Sequence, residues 1–376
     1  MKKIVCVVIS LLLALSVAGC SSAPAQDTSS PSATTSAEPS TSASNDASES
    51  PAASNPDPYK IVYVAKSLSN PLFILMDEGM KAKVAEINEE AGYEKVVYES
   101  QTTANESDIE QMLTLCDTLL TQDLDALVIT PASSNSFADV VKQCNEKGIA
   151  FIDLDTMVDQ AELDAAGAKF DVFVGTDNVQ MGKDLFDSCV KAFDGKCKYI
   201  ILGGYEGAST HIDMMKGLEE AVAAAPDTME RLDYQAADWN RNKAFEVAGA
   251  LLTAHPDVEA FICFNDQMAS GAMQAIESVG KVPGKDIKLF GSTFVGDAPQ
   301  NIWDGKQESS VSRVPYSTGQ IAMEQAVRLC DGLPVEDPNL KGNVIEVKGP
   351  PVTKADLVLG EDGKFYDKNG KAIEEW

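Results

Sequence analysis

Polar and aromatic side chains recur in this sequence directly after apolar runs that have the character of β-strands. Lys66 and Asn70 follow the first run, Asp155 ends a later one, and Trp239 lies in the polar segment Asp-Trp-Asn-Arg. Carboxylates, amides and basic groups hold hydroxyl groups by hydrogen bonds, and planar aromatic rings cover the apolar faces of a small ring. These residue types, placed after predicted strands, therefore mark the loops where ligand contacts are expected.

Each of these residues also has a purely structural interpretation. Trp239 sits in a polar run where a core position is disfavoured, whereas Phe73 fits the buried face of its helix as well as a binding site. Asp155 ends an apolar strand, where a carboxylate is costly unless it faces a cleft or caps a helix. Lys66 is either a cleft residue or a surface charge. Asn70 fits the N-cap of the next helix, a role that is compatible with ligand binding.

Alternating strand and helix patterns divide the chain into two similar halves. The strands are near-continuous apolar runs, which are typical of parallel sheets covered by helices on both faces. In such doubly wound α/β sheets, ligands bind beyond the carboxyl ends of the strands, where the candidate residues lie. The first half has strand patterns at 60–65, 95–99, 126–130, 149–154 and 170–175, with helices at 72–91, 108–121 and 137–147. In the second half, helices at 180–193, 209–224, 242–254, 269–278 and 318–330 alternate with strands at 198–202, 231–235, 260–264, 288–290 and 343–348.

The composition excludes several classes of function. The formal net charge is −28 and the pI is near 4.3. Such acidity disfavours nucleic acid and anionic lipid as partners, because both bind basic surfaces. Two histidines exclude a His-rich metal site, and the acids around Asp155 lack the D-x-[DN]-x-[DN]-G spacing of a calcium loop. We therefore expect no metal, and we find no cofactor motif such as a P-loop.

The first twenty residues have the layout of a secretory signal. A basic start at 1–3 precedes an apolar run at 4–15 that is too short for a stable membrane span, and small residues lead to Cys20. This arrangement resembles the lipobox of bacterial lipoproteins, in which the signal is removed and the cysteine is lipidated; an ordinary signal peptide is the alternative. Residues 21–57 are mostly Ser, Ala, Thr and Pro and predict a disordered tether. We expect an extracytoplasmic protein held to the outer face of the cell membrane by lipid on Cys20.

Four segments, taken in order, resemble one family of binding proteins. They are S-x-x-N-P-x-F at 67–73, G-T-D-N at 175–178, the stretch 253–272 and P-V-T-K at 351–354. Over about residues 59–359 the chain resembles the ribose/galactose branch of the periplasmic sugar-binding proteins, the type I solute-binding proteins of ABC transporters. The resemblance implies two doubly wound lobes joined by a three-strand hinge. It also implies a monomer, without enzymatic activity, that binds a monosaccharide or related polyol between the lobes and delivers it to the permease of an ABC importer.

The predicted boundaries follow from this resemblance and from the element pattern. Residues 1–19 form the signal and residues 20–57 the lipid-anchored linker. The first lobe takes 58–176 plus 314–338, and the second takes 177–313 plus 339–360, which leaves 361–376 as a C-terminal tail. We expect the chain to cross between the lobes near 174–177, 313–316 and 336–343.

The resemblance assigns further ligand contacts. Asn265 is carried over as a contact, and Leu72 stands at a position that is often aromatic in the family. Thr293 stands where ribose and galactose binders have an acid, so one acidic contact is missing. Thr156 replaces an arginine of the ribose binders, and the helix after residue 208 offers His211 in place of another. These departures put ribose and galactose themselves in doubt.

Arg313 stands where ribose binders have an amide, and it is either a cleft residue or a solvent-facing hinge residue. If Arg313 and Lys66 both face inward, they outnumber Asp155, which would suit a ligand with a carboxylate or phosphate, or one rich in carbonyl and hydroxyl acceptors. The predicted ligand-binding residues are Lys66, Asn70, Leu72, Phe73, Asp155, Thr156, His211, Trp239, Asn265, Thr293 and Arg313.

Other interpretations stay open. A sensory receptor that hands its closed form to a signalling partner has the same sequence features as a transport protein. An extracytoplasmic enzyme would need a nucleophile–base pair or two facing carboxylates, and Asp155 has no obvious acidic partner. Cys189 and Cys197 could pair, but free thiols are favoured because a chain of this size needs no disulfide scaffold.

Overall fold

The structure, a computed structural model, describes residues 55–376. The predicted signal, Cys20 and most of the predicted linker lie outside the described residues. The strands are β1 (Tyr59–Ala65), β2 (Val96–Thr102), β3 (Ala126–Ile129), β4 (Ala150–Leu154), β5 (Val172–Thr176), β6 (Cys197–Gly203), β7 (Met229–Ala236), β8 (Ala260–Cys263), β9 (Lys288–Thr293), β10 (Ser309–Ser312), β11 (Leu340–Lys341), β12 (Val344–Val347), β13 (Pro351–Thr353), β14 (Val358–Leu359) and β15 (Phe365–Tyr366). The helices are α1 (Pro71–Ala91), α2 (Ile109–Leu119), α3 (Ala138–Lys147), α4 (Gln160–Ala166), α5 (Asn178–Ala192), α6 (Ser209–Ala224), α7 (Arg241–Ala254), α8 (Asp266–Ser278), α9 (Ala298–Trp303) and α10 (Pro315–Cys330).

The first lobe is built on a sheet in the order β11-β12-β5-β4-β3-β1-β2, which is parallel except for β11. Alternate side chains of a strand point to opposite faces. On β1, Ile61 and Tyr63 therefore join the core beneath α1 and α10, whereas Val62 and Val64 join the core beneath α2 and α3. This burial on both faces explains why the strand reads as a continuous apolar run.

The second lobe is built on a sheet in the order β13-β10-β9-β8-β6-β7, in which only β13 is antiparallel. One continuous core fills the lobe, and Tyr199, Phe261 and Phe290 are among its largest fully buried side chains. α5 packs on α6 and α7 packs on α8 around it. The two-lobe α/β architecture confirms the predicted fold class.

The chain crosses between the lobes three times, after β5, after β10 and after β12. The first two crossings agree with the predicted ones. The third lies at 348–350 rather than at 336–343, because β12 pairs in parallel with β5 of the first sheet, with Val344 opposite Phe173. Residues 340–347 therefore belong to the first lobe and not to the second, which corrects the boundary at 339–360.

The predicted tail, residues 361–376, is folded against the second lobe. Its residues Ile373 and Trp376 pack with Phe294 and Ile302, and the rings of Trp376 and Phe294 lie 5.6 Å apart. The backbone N–H of Ser317, in the first turn of α10, donates to the carbonyl of Trp376 at 3.1 Å. The C-terminus thus contacts elements on both sides of the second crossover.

Among residues 55–376, no helix is both long and apolar enough to cross a membrane. The six cysteines in this part of the chain are free thiols, and Cys189 and Cys197 are both buried. A hydrogen bond with Cys197 raises the pKa of the Cys189 thiol, and burial raises it further.

Candidate ligand-binding site

A cleft between the two lobes lies beyond the carboxyl ends of both parallel sheets, where a doubly wound fold places its ligand site. Nine of the eleven predicted residues line it. Three further lining residues come from positions that the sequence analysis did not select. The predicted ones are Lys66, Asn70, Leu72, Phe73, Asp155, Trp239, Asn265, Thr293 and Arg313, and the others are Glu106, Thr210 and Phe264.

A buried charge cluster forms the floor of the cleft. Arg313 donates from Nη1 to Asp155 Oδ1 at 2.9 Å and from Nη2 to Asn178 Oδ1 at 2.6 Å. Lys66 Nζ donates to the Thr156 hydroxyl and lies 3.8 Å from Asp155 Oδ2. Lys66, Asp155 and Arg313 are only 3–4 % exposed, so neither basic residue is a surface charge. One carboxylate therefore serves two cations at a site with little access to water.

The two asparagines of the cleft are fixed by their roles as helix caps. Asn70 Oδ1 accepts from the Leu72 N–H at 3.0 Å at the start of α1, and Asn265 Oδ1 accepts from the Met268 N–H at 2.8 Å at the start of α8. Each amide nitrogen makes one further bond, to Glu106 Oε1 at 2.8 Å and to the Trp239 carbonyl at 3.1 Å respectively. With its oxygen used for capping, each asparagine presents the cleft with an N–H donor.

Burial changes the protonation equilibria of two lining residues. Desolvation lowers the pKa of the Lys66 ammonium, and the nearby Asp155 carboxylate opposes that shift. Desolvation raises the pKa of Glu106 to about 7, against the opposing effects of the Asn70 hydrogen bond and the charge of Lys66. Glu106 therefore changes its charge near neutral pH at the edge of the cleft.

Aromatic side chains from both lobes flank the cleft. Phe73 belongs to the first-lobe core and also faces the site, with Lys66 Nζ 5.9 Å from its ring centre. Trp239 and Phe264 approach from the second lobe. The indole of Trp239 lies directly over Gly204, where a Cβ atom would meet its ring at 2.0 Å. Glycine at 204 is therefore what allows the tryptophan to reach this position.

Strained backbone marks the loops that hold the site. Seven non-glycine residues of the described chain have positive φ, and six of them lie at or just beyond the ends of cleft-facing strands or at a crossover. L-residues avoid this region, and the cost of such conformations is typically met at functional sites. The six are Asp155, Asp238, Trp239, Thr293, Phe294 and Val314.

Two predicted residues do not line the cleft. Thr156 is buried beneath it and links Lys66 to Asp155, to which its hydroxyl donates at 3.2 Å. His211 is buried behind Phe264, with 5.5 Å between the ring centres, and its Nδ1 has no hydrogen-bond partner among the described residues. Burial also lowers the pKa of His211, which favours the neutral ring.

Different sequence features could have predicted the three lining residues that the sequence analysis missed. Thr210 and Phe264 are direct neighbours of the predicted His211 and Asn265, so the correct loops were found with an incomplete set of side chains. Glu106 lies in the loop after β2, and none of the predicted residues comes from that loop. The rule that ligands lie beyond strand ends would have found it.

Direct hydrogen bonds join the two lobes. The N–H of Ser209 donates to Ser134 Oγ at 2.9 Å, the N–H of Met157 donates to Ser209 Oγ at 2.9 Å, and the N–H of Ser134 donates to the Gly207 carbonyl at 3.2 Å. Between the lining side chains there is room for about one water molecule. A ring-shaped ligand can therefore enter only if the lobes separate.

No group of three or more His, Cys, Asp or Glu side chains that could hold a metal ion occurs within residues 55–376. The carboxylates at or next to the cleft already have hydrogen-bond partners. Glu106 Oε1 accepts from the Asn70 amide at 2.8 Å. Asp155 pairs with Arg313, and Asp153 Oδ2 accepts from the Val158 N–H at 2.7 Å. The side chains that line the cleft supply hydrogen-bonding groups and aromatic surfaces.

Comparison with known proteins gives consistent results. Residues 61–334 match the model of the periplasmic binding protein domain. The chain is 31% identical over 291 residues to the ribose import binding protein of Escherichia coli, covering 77% of this chain and 88% of that one. It is 28% identical over 286 residues to the ribose import binding protein of Bacillus subtilis, covering 76% and 86% of the two chains.

A solved structure shares the architecture of both lobes. It is a solute-binding protein of an ABC transporter from Actinobacillus succinogenes with bound D-allose, 27% identical to this chain, with a TM-score of 0.71. The match covers 79% of this chain and 98% of the other. This chain therefore belongs to the periplasmic binding protein family, in the group that includes the sugar-binding components of ABC transporters, as its two sheets, its interlobe cleft and its sequence relatives show.

Proposed function

We propose that this protein binds a monosaccharide or related polyol in the interlobe cleft and delivers it to the permease of an ABC importer. The observation that carries the proposal is the convergence of nine predicted contact residues from both lobes on one cleft. The relatives named above are import binding proteins for ribose, and the similar solved structure holds D-allose.

The groups around the cleft suit a hydroxylated ring. Phe73 and Trp239 supply aromatic surfaces from opposite lobes, which can cover the apolar faces of the ring. Arg313 and Asp155 supply charge-assisted hydrogen bonds, which are stronger than those between neutral groups. Because Asp155 already accepts bonds on both oxygens, its role is to hold hydroxyl groups and donors in place rather than to attack a substrate.

Binding couples to hinge closure. The open form admits the ligand, and the closed form brings Ser209 against Ser134 and Met157. A ligand that touches both lobes stabilises the closed form by its differential affinity for the two forms. The closed surface is the form that the permease would recognise.

The location follows from the N-terminal sequence. We propose that the chain is exported, that lipid on Cys20 anchors it to the outer face of the cell membrane, and that residues 21–57 tether the folded lobes. Metabolic labelling with a radioactive fatty acid tests the anchor. Label should enter the wild-type chain and be lost in Cys20→Ala, and equal labelling of both would contradict lipidation at this residue.

Thermal unfolding against a panel of pentoses, hexoses, inositols and sugar acids tests the binding function. A ligand at a hundredfold its dissociation constant stabilises the protein by about 2.7 kcal/mol, which gives a clear rise in Tm. The rise should be lost in Trp239→Ala. It should persist in Phe245→Ala, a control that removes an exposed aromatic ring on α7 of the same lobe, outside the cleft lining. No rise with any member of the panel would contradict the proposal.

A further inference from the structure

We infer that the ligand of this cleft is a monosaccharide acid, whose single carboxylate is bound by Lys66 together with Arg313. This inference rests on the proposed sugar-binding function and narrows its ligand class. The relatives and the solved structure named above bear the names of neutral sugars, so the charge of the ligand is a separate question that the cleft itself must answer.

The first argument is the charge of the cleft floor. When Lys66 is protonated, it and Arg313 carry two positive charges in a nearly dry site, and within residues 55–376 Asp155 is the one carboxylate in ion-pair distance of either. Burial lowers the pKa of Lys66, and an anionic ligand beside it would favour the protonated form. Buried charge without a counter-charge is costly, because the protein interior solvates it poorly. One negative charge on the ligand would complete the cluster.

The nearby acids do not supply that charge. Asp153 forms no ion pair among the described residues, since its Oδ2 is turned to the Val158 N–H, and burial raises its pKa well above the usual value. Glu106 lies at the edge of the cleft against Asn70, and burial raises its pKa to about 7, so near neutrality much of it is uncharged. With Lys66 protonated, the floor therefore keeps an excess of positive charge.

The second argument is the supply of hydrogen-bond donors. Lys66 uses one of its three N–H groups on Thr156, and Arg313 uses three of its five, on Asp155, Asn178 and the Met214 sulfur. The capping asparagines, Asn70 and Asn265, each keep one N–H free of partners within the described residues. A ligand in this cleft meets mainly donors, and a carboxylate is the strongest acceptor that a sugar derivative offers.

The charge balance favours a carboxylate over a phosphate. A carboxylate brings one negative charge, which matches the excess of one on the floor. A phosphate monoester carries about 1.5 to 2 negative charges at pH 7 and would leave the site with excess negative charge next to Asp155. The compact Lys66 ammonium, with two N–H groups left, suits a single carboxylate oxygen pair.

Isothermal titration with matched ligand pairs tests the inference. Each pair differs in the acid group: galacturonate against galactose, glucuronate against glucose, and ribonate against ribose, with ribose 5-phosphate as the phosphate arm. We expect one acid to bind at least about tenfold more tightly than its neutral partner. Lys66→Met should weaken binding of that acid about 30-fold, the factor expected when one member of a buried charge pair is removed.

Three further variants distinguish the effect of losing the charge from the effect of disturbing the fold. Lys66→Arg keeps the charge and should keep the preference for the acid. Lys81→Met makes the same change on exposed α1 of the same lobe and should leave binding unaltered. Asn265→Asp replaces a free N–H donor of the cleft by a negative charge while keeping a capping oxygen, and it should weaken the acid more than its neutral partner.

The outcomes are distinguishable. If a neutral sugar binds as tightly as its acid, the inference fails while the proposed function stands. If only the phosphate binds, the carboxylate assignment is wrong. If no member of any pair binds, the inference and the proposed monosaccharide function fail together.

Discussion

Replacing Gly204 by alanine should damage the cleft without touching a ligand. Gly204 follows β6, and the indole of Trp239 lies over it. An alanine Cβ would stand 2.0 Å from Trp239 Cζ2 and 2.2 Å from Cε2, whereas carbon atoms in contact are normally about 3.5–4 Å apart. The indole must therefore move by roughly 1.5 Å, away from the position where it flanks the cleft.

The expected cost has two parts. Overpacking typically costs about 1–3 kcal/mol of stability, and Trp239 has little freedom to relax because its φ is already strained at +62°. A misplaced indole also loses aromatic stacking on the ligand, worth about 0.5–1.5 kcal/mol, or about a 2- to 12-fold rise in Kd. Urea unfolding measures the first part and isothermal titration the second.

A control variant and a double mutant make this prediction sharp. Gly249→Ala lies in α7 of the same lobe with no atom within 4 Å of the added Cβ, so it should stabilise the protein by about 0.5–1 kcal/mol. In a Trp239→Ala background the clash partner is gone, and Gly204→Ala should cost less than about 0.5 kcal/mol. If Gly204→Ala is as costly there as in the wild-type protein, contact with the indole is not the cause and the reasoning fails.

Three further predictions concern the charges and the closed form. Asp155→Asn leaves Lys66 and Arg313 buried without a carboxylate, so urea unfolding at pH 7 should show a loss of about 3–5 kcal/mol, and a loss below about 1 kcal/mol would count against the charge cluster. The pKa of Glu106 is raised to about 7, so the folded state binds its proton more tightly than the unfolded state, and stability falls as pH rises from about 4.5 to 7. In urea titrations, Glu106→Gln should therefore be more stable than the wild-type protein at pH 8 and lose that advantage towards pH 5. A difference in stability that does not change with pH would contradict the assignment. Ser134→Ala removes the acceptor for the Ser209 N–H and should destabilise the closed form by about 1 kcal/mol. The ligand Kd should therefore rise about fivefold. The radius of gyration of the ligand-free variant, measured by X-ray scattering, should not be smaller than that of the ligand-free wild-type protein.

Local signals explain why much of the fold could be predicted from the sequence. The strand β1 is a β-branched apolar run, and the asparagine–proline pair that follows it is a helix start, so the observed α1 begins one residue from its predicted start. The position of Asp155 predicts a cleft residue, because an acid at the end of an apolar strand is costly without a partner. Its partner, Arg313, is 158 positions away in sequence, and the direction of that side chain could not be decided from sequence alone.

Long-range contacts explain the rest. The sequence of β12 predicts a strand but does not say which sheet it joins, and its pairing with β5 sets the third crossover. Glu106 lies in a polar loop without a local pattern, and its place in the cleft is set by the Asn70 side chain, 36 positions away. His211 faces Phe264 behind the cleft because of the rotation of α6 about its axis. The sequence locates the start of a helix only to within one or two residues, so it does not decide which side chain of α6 faces the cleft.

The return of β12 to the first sheet delays completion of that sheet until late in synthesis. Once residue 312 has been made, the second sheet lacks only the three-residue edge strand β13. The first sheet still lacks α10 over its face and the strands β11 and β12 at its edge, and it stays incomplete until residue 347. The lobe that begins first is therefore still incomplete when the second sheet lacks only its edge strand, and a nascent chain that stops short of residue 347 exposes the apolar edge of β5 and the face of the first sheet that α10 covers.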